Sequence, residues 1–366
     1  MCISQYEIQI FNLGSHRRTS LILITTNNIT EFGTFKGKKV HCITLINKKG
    51  TVLKVLTWGA TWHALELVDK TGMPRDVVVA PKTFSGYLKQ SKTRPYFFGN
   101  SIGRYAGRLS NPKIRVNNQE IELKLNDGVH LHGGENSPRN KVWEIVNVNS
   151  GNNPSVTLAY ESPHLEEGYL GNVSINVKYT LGEDDRVQLH YEATTDTETI
   201  INLTNHTYFN LDGESVGNHV LQVQSSSILD TDRKLIPTGK IIVTEGTPYD
   251  FQDRKKISQI KGIGELDTCF ILEKVKPQIK LFAEQSGIEL EIESNQPAAV
   301  IFCPKDIAFA EEPKNVQWVQ QAYPAVCFEL QNYPDAPQHS HFPSCLLREN
   351  ETYQNKTAYN FKVQEG

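Results

Sequence analysis

Val173-Ser-Ile-Asn-Val-Lys-Tyr-Thr180 and Arg186-Val-Gln-Leu-His-Tyr-Glu-Ala193 alternate apolar and polar residues on either side of Gly182-Glu-Asp-Asp185. Successive side chains of a strand point to opposite faces, so each segment has one apolar and one polar face. β-branched and aromatic residues dominate, which favours strand over helix. Ser155-Val-Thr-Leu-Ala-Tyr160 repeats the pattern upstream. Nearer the start, Val40-His-Cys-Ile-Thr-Leu-Ile46 and Thr51-Val-Leu-Lys-Val-Leu-Thr-Trp58 flank Asn47-Lys-Lys-Gly50, a hairpin signal. No long segment has a 3.6-residue period; short helical turns are expected near 83–90 and 256–263. Turn signals recur without a linker, an internal repeat or a low-complexity stretch. The expected fold is all-β, one large antiparallel β-sandwich over residues 31–366, with residues 1–30 an N-terminal extension.

Composition narrows the function classes. Of 366 residues, 38% are hydrophobic, enough for a large core, so general disorder is excluded. Lys and Arg total 38 against 41 Asp and Glu, so the basic excess of a nucleic-acid or anionic-membrane binder is missing. No apolar run approaches the ~18 residues that a spanning helix needs. Leu21–Ile24 is too short for a signal-peptide core and follows Arg17 and Arg18. The six cysteines are widely spaced and form no C-x-x-C pair, so free thiols in a reducing cytoplasm are expected. Sequons at Asn202 and Asn205 fall in a segment expected to be buried.

Four segments carry candidate chemistry. In Thr199-Ile-Ile-Asn-Leu-Thr-Asn-His-Thr-Tyr-Phe-Asn-Leu211, strand alternation puts Ile201, Leu203, Asn205, Thr207, Phe209 and Leu211 on one face. Asn202, Thr204, His206, Tyr208 and Asn210 take the other, a polar row with no Lys, Arg, Asp or Glu. Such a row suits either a cleft floor for a polyhydroxylated ligand or a satisfied polar ladder. In Ala325-Val-Cys-Phe-Glu-Leu-Gln-Asn332, Glu329 is the one charge in an apolar strand, a surface residue or an acid/base group. In Leu131-His-Gly-Gly134 the glycines permit a tight turn or close ligand approach. His130 and His132 share a face there, but no local carboxylate or third histidine completes a metal set, and no metal is expected. Gly103-Arg-Tyr-Ala-Gly-Arg108 carries two arginines whose rigid forks suit oxygen-rich ligands or structural pairs, and it is not a phosphate-binding glycine loop. Asp267, in Leu266-Asp-Thr-Cys-Phe270, is similarly ambiguous.

Together these segments resemble the aldose 1-epimerase (galactose mutarotase) family over residues 32–363. The resemblance rests on Asn202–Leu211, Phe98–Arg108, Leu131–Gly134, Phe328–Ala336 and Thr83–Leu88, in that family's order. It implies a large antiparallel β-supersandwich with a sugar cleft. It implies that Glu329 is the general base and His206 the general acid, with His132 assisting at the reacting end. Arg108, Asp267 and Gln296 would hold hydroxyls, and Tyr169 would line the cleft. No cofactor is implied, and the partner is a small aldose such as galactose or glucose. The chain departs from the family at Thr268, where His is frequent, at Gly107, where Asn is common, and over Ser137–Lys141; these departures bear on sugar preference and cleft shape.

Anomer interconversion removes a proton from the C1 hydroxyl and delivers one to the ring oxygen. At reference values a glutamate is ionised at pH 7 and a histidine titrates close by, so one of each suffices. Three other readings compete. A hexose-phosphate 1-epimerase needs a cationic cluster for the phosphate. A glycoside hydrolase would pair Glu329 with Asp267 and leave His206 idle. A non-catalytic sugar-binding or regulatory protein would keep the cleft without turnover. Nothing in the sequence requires more than a monomer or a weak dimer.

Overall fold

The structure, a computed structural model, describes residues 6–7, 24–25 and 28–364, apart from 117–118, 126–127, 260–264, 312 and 315–321. Most of the expected extension lies outside the described residues. Tyr6–Glu7 pairs with Ile24–Thr25, and Ile29 already belongs to the first strand of the body, opposite Ile43.

The alternating segments form strands as expected. Ser155–Ser162, Val173–Leu181, Arg186–Thr195 and Tyr353–Val363 lie side by side, all antiparallel, in a nine-stranded sheet. The predicted hairpin is Lys38–Ile46 with Val52–Leu56, closed by a bond from the Gly50 N–H to the Asn47 carbonyl, in a five-stranded sheet. A third, seven-stranded sheet runs in the order Pro237–Val243, Ser227–Thr231, Leu266–Ile271, Ala298–Cys303, Val326–Gln331, Tyr208–Phe209, Val78–Val79. The expected helical turns are the helix Phe84–Thr93, whose Thr83 side chain caps the Gly86 N–H, and a short turn at Ile257–Gln259.

One apolar cluster draws on all three sheets: Val40, Leu53 and Leu65 from the five-stranded, Ile175, Leu189 and Tyr359 from the nine-stranded, Phe209, Ile301 and Phe328 from the seven-stranded. A second cluster, including Tyr105, Tyr169, Cys269, Val300 and Tyr333, covers the other face of the seven-stranded sheet. The inner strands of that sheet are therefore enclosed on both sides, and all six residues of Val326–Gln331 are buried. A charge on that strand is an interior charge, which removes the surface-residue reading of Glu329.

The segment 199–211 is not one two-faced strand. It breaks into Thr199–Ile200, Thr204–Asn205 and Tyr208–Phe209, which pair with four different strands. Both supposed faces are buried, and the polar row divides. The Asn202 amide donates to the Ala106 and Asn332 carbonyls, Thr204 Oγ1 to the Leu330 carbonyl, and the Asn210 amide to the Glu214 and Pro324 carbonyls. These residues satisfy buried backbone where strands change sheets. Of the row, His206 and Tyr208 line the cavity described below.

Candidate active site

Register on the seven-stranded sheet builds the floor of the cavity. Tyr208 lies opposite Cys327, Cys327 opposite Phe302, and Phe302 opposite Asp267. Two residues along, Glu329 lies opposite Val300, and Val300 opposite Cys269. With a period of two, both rows share one face. His206 enters from the short connection before Tyr208. Its N–H donates to the Asn100 carbonyl and its carbonyl accepts from the Gly99 N–H, so the Phe98–Ile102 segment fixes it. Arg108–Leu109 pairs with His130–Leu131, which brings Arg108 and His132 to the same rim. Residues 108, 132, 206, 267 and 329, spread over more than 200 positions, line a single cavity.

The Glu329 carboxylate stands between the two histidines. Its Oε1 is 3.5 Å from His206 Nε2, and its Oε2 is 4.0 Å from His132 Nδ1. Oε2 has no hydrogen-bond partner among the described residues. The Gly107 N–H donates to His132 Nδ1 at 3.1 Å, so the neutral ring carries its proton on Nε2. Gly107 has φ +82°, and a Cβ there would lie 2.8 Å from Pro334, so glycine is required at this departure from the family pattern. Gly133, φ +78°, allows the loop after His132 to press on the Gly103 carbonyl, which a Cβ would meet at 1.9 Å. Phe97 packs its ring 4.8 Å from that of His132 and 5.4 Å from that of His206, and the Arg139 guanidinium covers its other side. Arg139 belongs to the departing stretch Ser137–Lys141, which thus shapes the cleft edge through Phe97. Arg108 and Asp267, both partly exposed, form a 3.8 Å ion pair across the mouth.

Burial reverses the titration expected from reference values. Glu329 is pushed up to about 8 by desolvation and by the Asp267 charge, with Arg108 opposing. His206 is brought down to about 3 by desolvation, with Arg139 adding to it. His132 is lowered well below its ordinary value by burial and by His206. Both shifts favour the proton of the pair on Glu329 and a neutral His206 at neutral pH. A dry, shared site favours the uncharged arrangement. Between about pH 3 and 8 the pair holds one proton, whichever residue carries it.

His132, His206 and Glu329 offer ligand atoms within 4.8 Å of one another. A tetrahedral zinc site needs about 3.4 Å between ligands, given bonds near 2.0–2.1 Å. The His132 Nδ1 lone pair is already engaged by Gly107, and the spacing suits a molecule placed between the groups better than an ion.

Two residues expected at the site lie elsewhere. Gln296 is in the connection after Ile288–Ser294, where its amide donates to the Asn295 side chain and the Gln354 carbonyl; Val300, four residues on, faces the cavity instead. Tyr169 is buried in the second cluster with its hydroxyl 2.6 Å from His130 Nε2, so both support the rim from behind. His130 and His132 do not share a face: a left-handed backbone at His132, φ +50°, turns it into the cavity. Of the paired arginines, Arg104 is buried and donates to Ser162 and to the Pro163, Leu170 and Gly171 carbonyls, whereas Arg108 reaches the cavity. Thr268 points to the opposite face from Asp267, so that departure lies off the cavity. Phe97 gave no sequence signal, and Cys327, with Sγ 3.4 Å from His206 Nδ1, read as an ordinary buried thiol.

A profile of the aldose 1-epimerase family matches residues 41–360. Galactose mutarotase of Homo sapiens is 32% identical over 321 residues, covering 84% of this chain and 90% of that protein. Aldose 1-epimerase of Escherichia coli (strain K12) is 29% identical over 344 residues, covering 89% and 96%. Among solved structures, a GalM/aldose epimerase homologue from C. elegans superposes with a TM-score of 0.81 at 28% identity, covering 88% of this chain and 99% of that one. Galactose 1-epimerase from Lactobacillus acidophilus gives 0.79 at 28% identity, covering 92% and 98%. With the match running through every strand that supplies the cavity, the chain belongs to the aldose 1-epimerase family.

Proposed function

We propose that this protein interconverts the α and β anomers of free aldohexoses such as galactose and glucose, with Glu329 and His206 as the proton-transfer pair. The observation that carries the reading is the 3.5 Å approach of His206 Nε2 to Glu329 Oε1 inside one cavity. A sugar placed there presents its C1 hydroxyl to the unpartnered Oε2 of Glu329. Hydrogen bonding to that oxygen favours the carboxylate, and the proton moves to His206. Glu329 then takes the C1 hydroxyl proton, the C1–O5 bond breaks, and O5 receives the proton from His206. The C1=O group forms, rotates about C1–C2, and is attacked by O5 from the other face as both transfers reverse. Each positioned transfer contributes ~10²–10⁴-fold. His132, with its proton on Nε2, donates to an oxygen at the same end. Arg108 and Asp267 hold more distant hydroxyls, and the packed backbone behind all five groups, strands for Arg108, Asp267 and Glu329 and buried connections for His132 and His206, keeps their separation constant.

Phosphorylated sugars fit less well. Arg94, the other arginine lining the cavity, already faces Asp306 at 3.6 Å and Glu265 at 4.0 Å. Every group proposed for the reaction comes from this one chain. A monomer or weak dimer in a reducing cytoplasm accords with Cys42, Cys269, Cys303, Cys327 and Cys345 being buried, unpaired thiols. No described helix is long and apolar enough to cross a membrane. The test is polarimetry of freshly dissolved α-galactose and α-glucose: the protein accelerates the approach to equilibrium rotation, and a relaxation no faster than the buffer control with either sugar, at micromolar protein, rejects the proposal.

A further inference from the structure

His206 has two ring nitrogens, and the mechanism gives a task to one. Nε2 faces Glu329 Oε1, whereas Nδ1 lies 3.4 Å from the sulfur of Cys327, its side-chain partner among the described residues. Cys327 and Glu329 stand two residues apart on Val326–Gln331, so they share a face of that strand. One strand therefore meets the imidazole at both nitrogens. Tyr208 and Phe302 lie opposite Cys327 on the strands to either side, and their rings are 5.2 and 6.5 Å from that of His206. The histidine ring is thus seated over the sulfur. Cys327 is fully buried and, unlike Tyr208 and Phe302, does not line the cavity.

A cysteine beside a histidine can serve as a nucleophile, but that chemistry needs an accessible thiolate. Here burial, followed by the Glu329 and Asp267 charges, holds the proton on sulfur. What the contact can do is decide where the neutral histidine keeps its own proton. To take a proton from Glu329 and pass it to O5, Nε2 must present a lone pair, so the neutral ring carries its hydrogen on Nδ1. That tautomer needs an acceptor at Nδ1, and sulfur is a weak one. A carboxylate in its place would stabilise the imidazolium and retain the proton on the histidine. A weak acceptor sets the tautomer and still lets Nε2 give the proton back.

We propose that Cys327 is a positioning residue for the reaction: its sulfur accepts the Nδ1–H of His206 and keeps the Nε2 lone pair turned toward Glu329. The inference rests on the aldose reading of the cavity and extends it from the reacting pair to the group behind it. The thiol keeps its proton throughout, so the proton exchange between Glu329, His206 and the sugar is unaltered in its balance.

The test reads the tautomer directly. In nitrogen NMR of the sugar-free protein at neutral pH, His206 should show a protonated Nδ1 and an unprotonated Nε2. Cys327→Ala removes the acceptor, and its His206 should shift toward the Nε2-protonated form. Its kcat by polarimetry should fall about fivefold, the size of one weak hydrogen bond, with KM within twofold of wild type. Cys327→Ser, which restores an acceptor, should hold the Nδ1-protonated form and turn over faster than Cys327→Ala. An Nε2-protonated His206 in the wild type overturns the proposal, and that spectrum decides the matter even where a variant fails to fold. A Cys327→Ala protein with kcat within twofold of wild type overturns it as well. So does a loss of kcat with the tautomer unshifted, since the sulfur would then be packing alone. If the wild type accelerates no mutarotation yet its His206 tautomer depends on Cys327, the catalytic reading fails and the contact stands.

Discussion

Replacing Glu329 by glutamine should make the protein inactive and more stable at once. The side chain is fully enclosed, and its titration is raised from 4.5 to about 8. A carboxylate whose folded-state pKa is raised destabilises the fold once the unfolded chain can ionise. The cost is nil below pH 4.5, grows as pH rises, and levels off above pH 8. At pH 7 the interval is about 2.5 units, or about 3 kcal/mol at ~1.4 kcal/mol per unit. Unfolding a 366-residue chain carries about 0.8 kcal/mol per kelvin of entropy. Glu329→Gln, close to isosteric and uncharged, should therefore raise the melting temperature by about 4 °C at pH 7 and by about 1 °C at pH 5. Polarimetric kcat should fall by ~10²–10⁴-fold, the contribution of one proton-transfer group, while calorimetry still registers sugar binding. Calorimetric scans at the two pH values and initial polarimetric rates complete the assay. A lower melting temperature at pH 7, or a gain that does not depend on pH, would refute the account of a strained interior carboxylate. An unchanged rate would remove Glu329 from the chemistry.

Other outcomes follow from the same geometry. The rate at low sugar concentration should be level from about pH 5 to 7 and fall above about 8, as the pair loses its one proton; a rate that climbs through pH 9 would show that an ionised Glu329 alone is sufficient. His206→Asn should lose ~10²-fold or more in kcat by polarimetry, and retention of more than a tenth of the wild-type value would contradict its role as proton carrier. Asp267→Asn should raise KM several-fold with a smaller change in kcat, because the group sits at the mouth beside Arg108 rather than at the reacting end. Phe97→Ala should lower kcat and raise the titration of His132, followed by NMR, as water enters beside both imidazoles. Gln296→Ala should leave kcat and KM within twofold of wild type, since its amide is engaged away from the cavity.

The fold was legible wherever a strand was covered on one side. Val173–Leu181 and Arg186–Thr195 show their two faces as alternation, and the structure pairs them residue by residue. Legibility failed where a segment is enclosed on both sides. In 199–211 the polar residues answer to backbone groups of other strands, so the period of two describes neither their direction nor their exposure. Position in the strand also decided which candidates reach the cavity. Asp267 and Glu329 sit on regular strands whose register can be counted, whereas Gln296 lies in a connection where counting stops. Phe97 left no trace because its placement depends on a left-handed backbone, φ +55°, and on Arg139 from a distant loop. The ionisation of the pair was invisible for a related reason: reference pKa values describe exposed groups, and enclosure is a property of the assembled sheets.

The enclosure that hides the chemistry from the sequence is also what makes it work. An exposed glutamate and histidine would exchange protons with water, with the carboxylate already ionised at pH 7, at no fixed distance. Here Glu329 hangs from a strand enclosed on two sides and His206 from a buried connection held by Gly99 and Asn100, and the interior penalises either charge until a hydroxyl arrives to solvate it. The sugar thus supplies the polar contacts that activate its own catalysts: Glu329 Oε2 has no hydrogen-bond partner among the described residues, and burial favours the protonated carboxyl group. Activation by the substrate implies that a ligand with the right shape and no C1 hydroxyl should leave the proton on Glu329. A 1-deoxy aldose should therefore bind without shifting the Glu329 carboxyl resonance at neutral pH, whereas the parent sugar should shift it toward the ionised form, as followed by isotope-edited infrared or carbon NMR. An identical shift with both ligands would mean that simple exclusion of water, rather than the reacting hydroxyl, sets the charge of the pair.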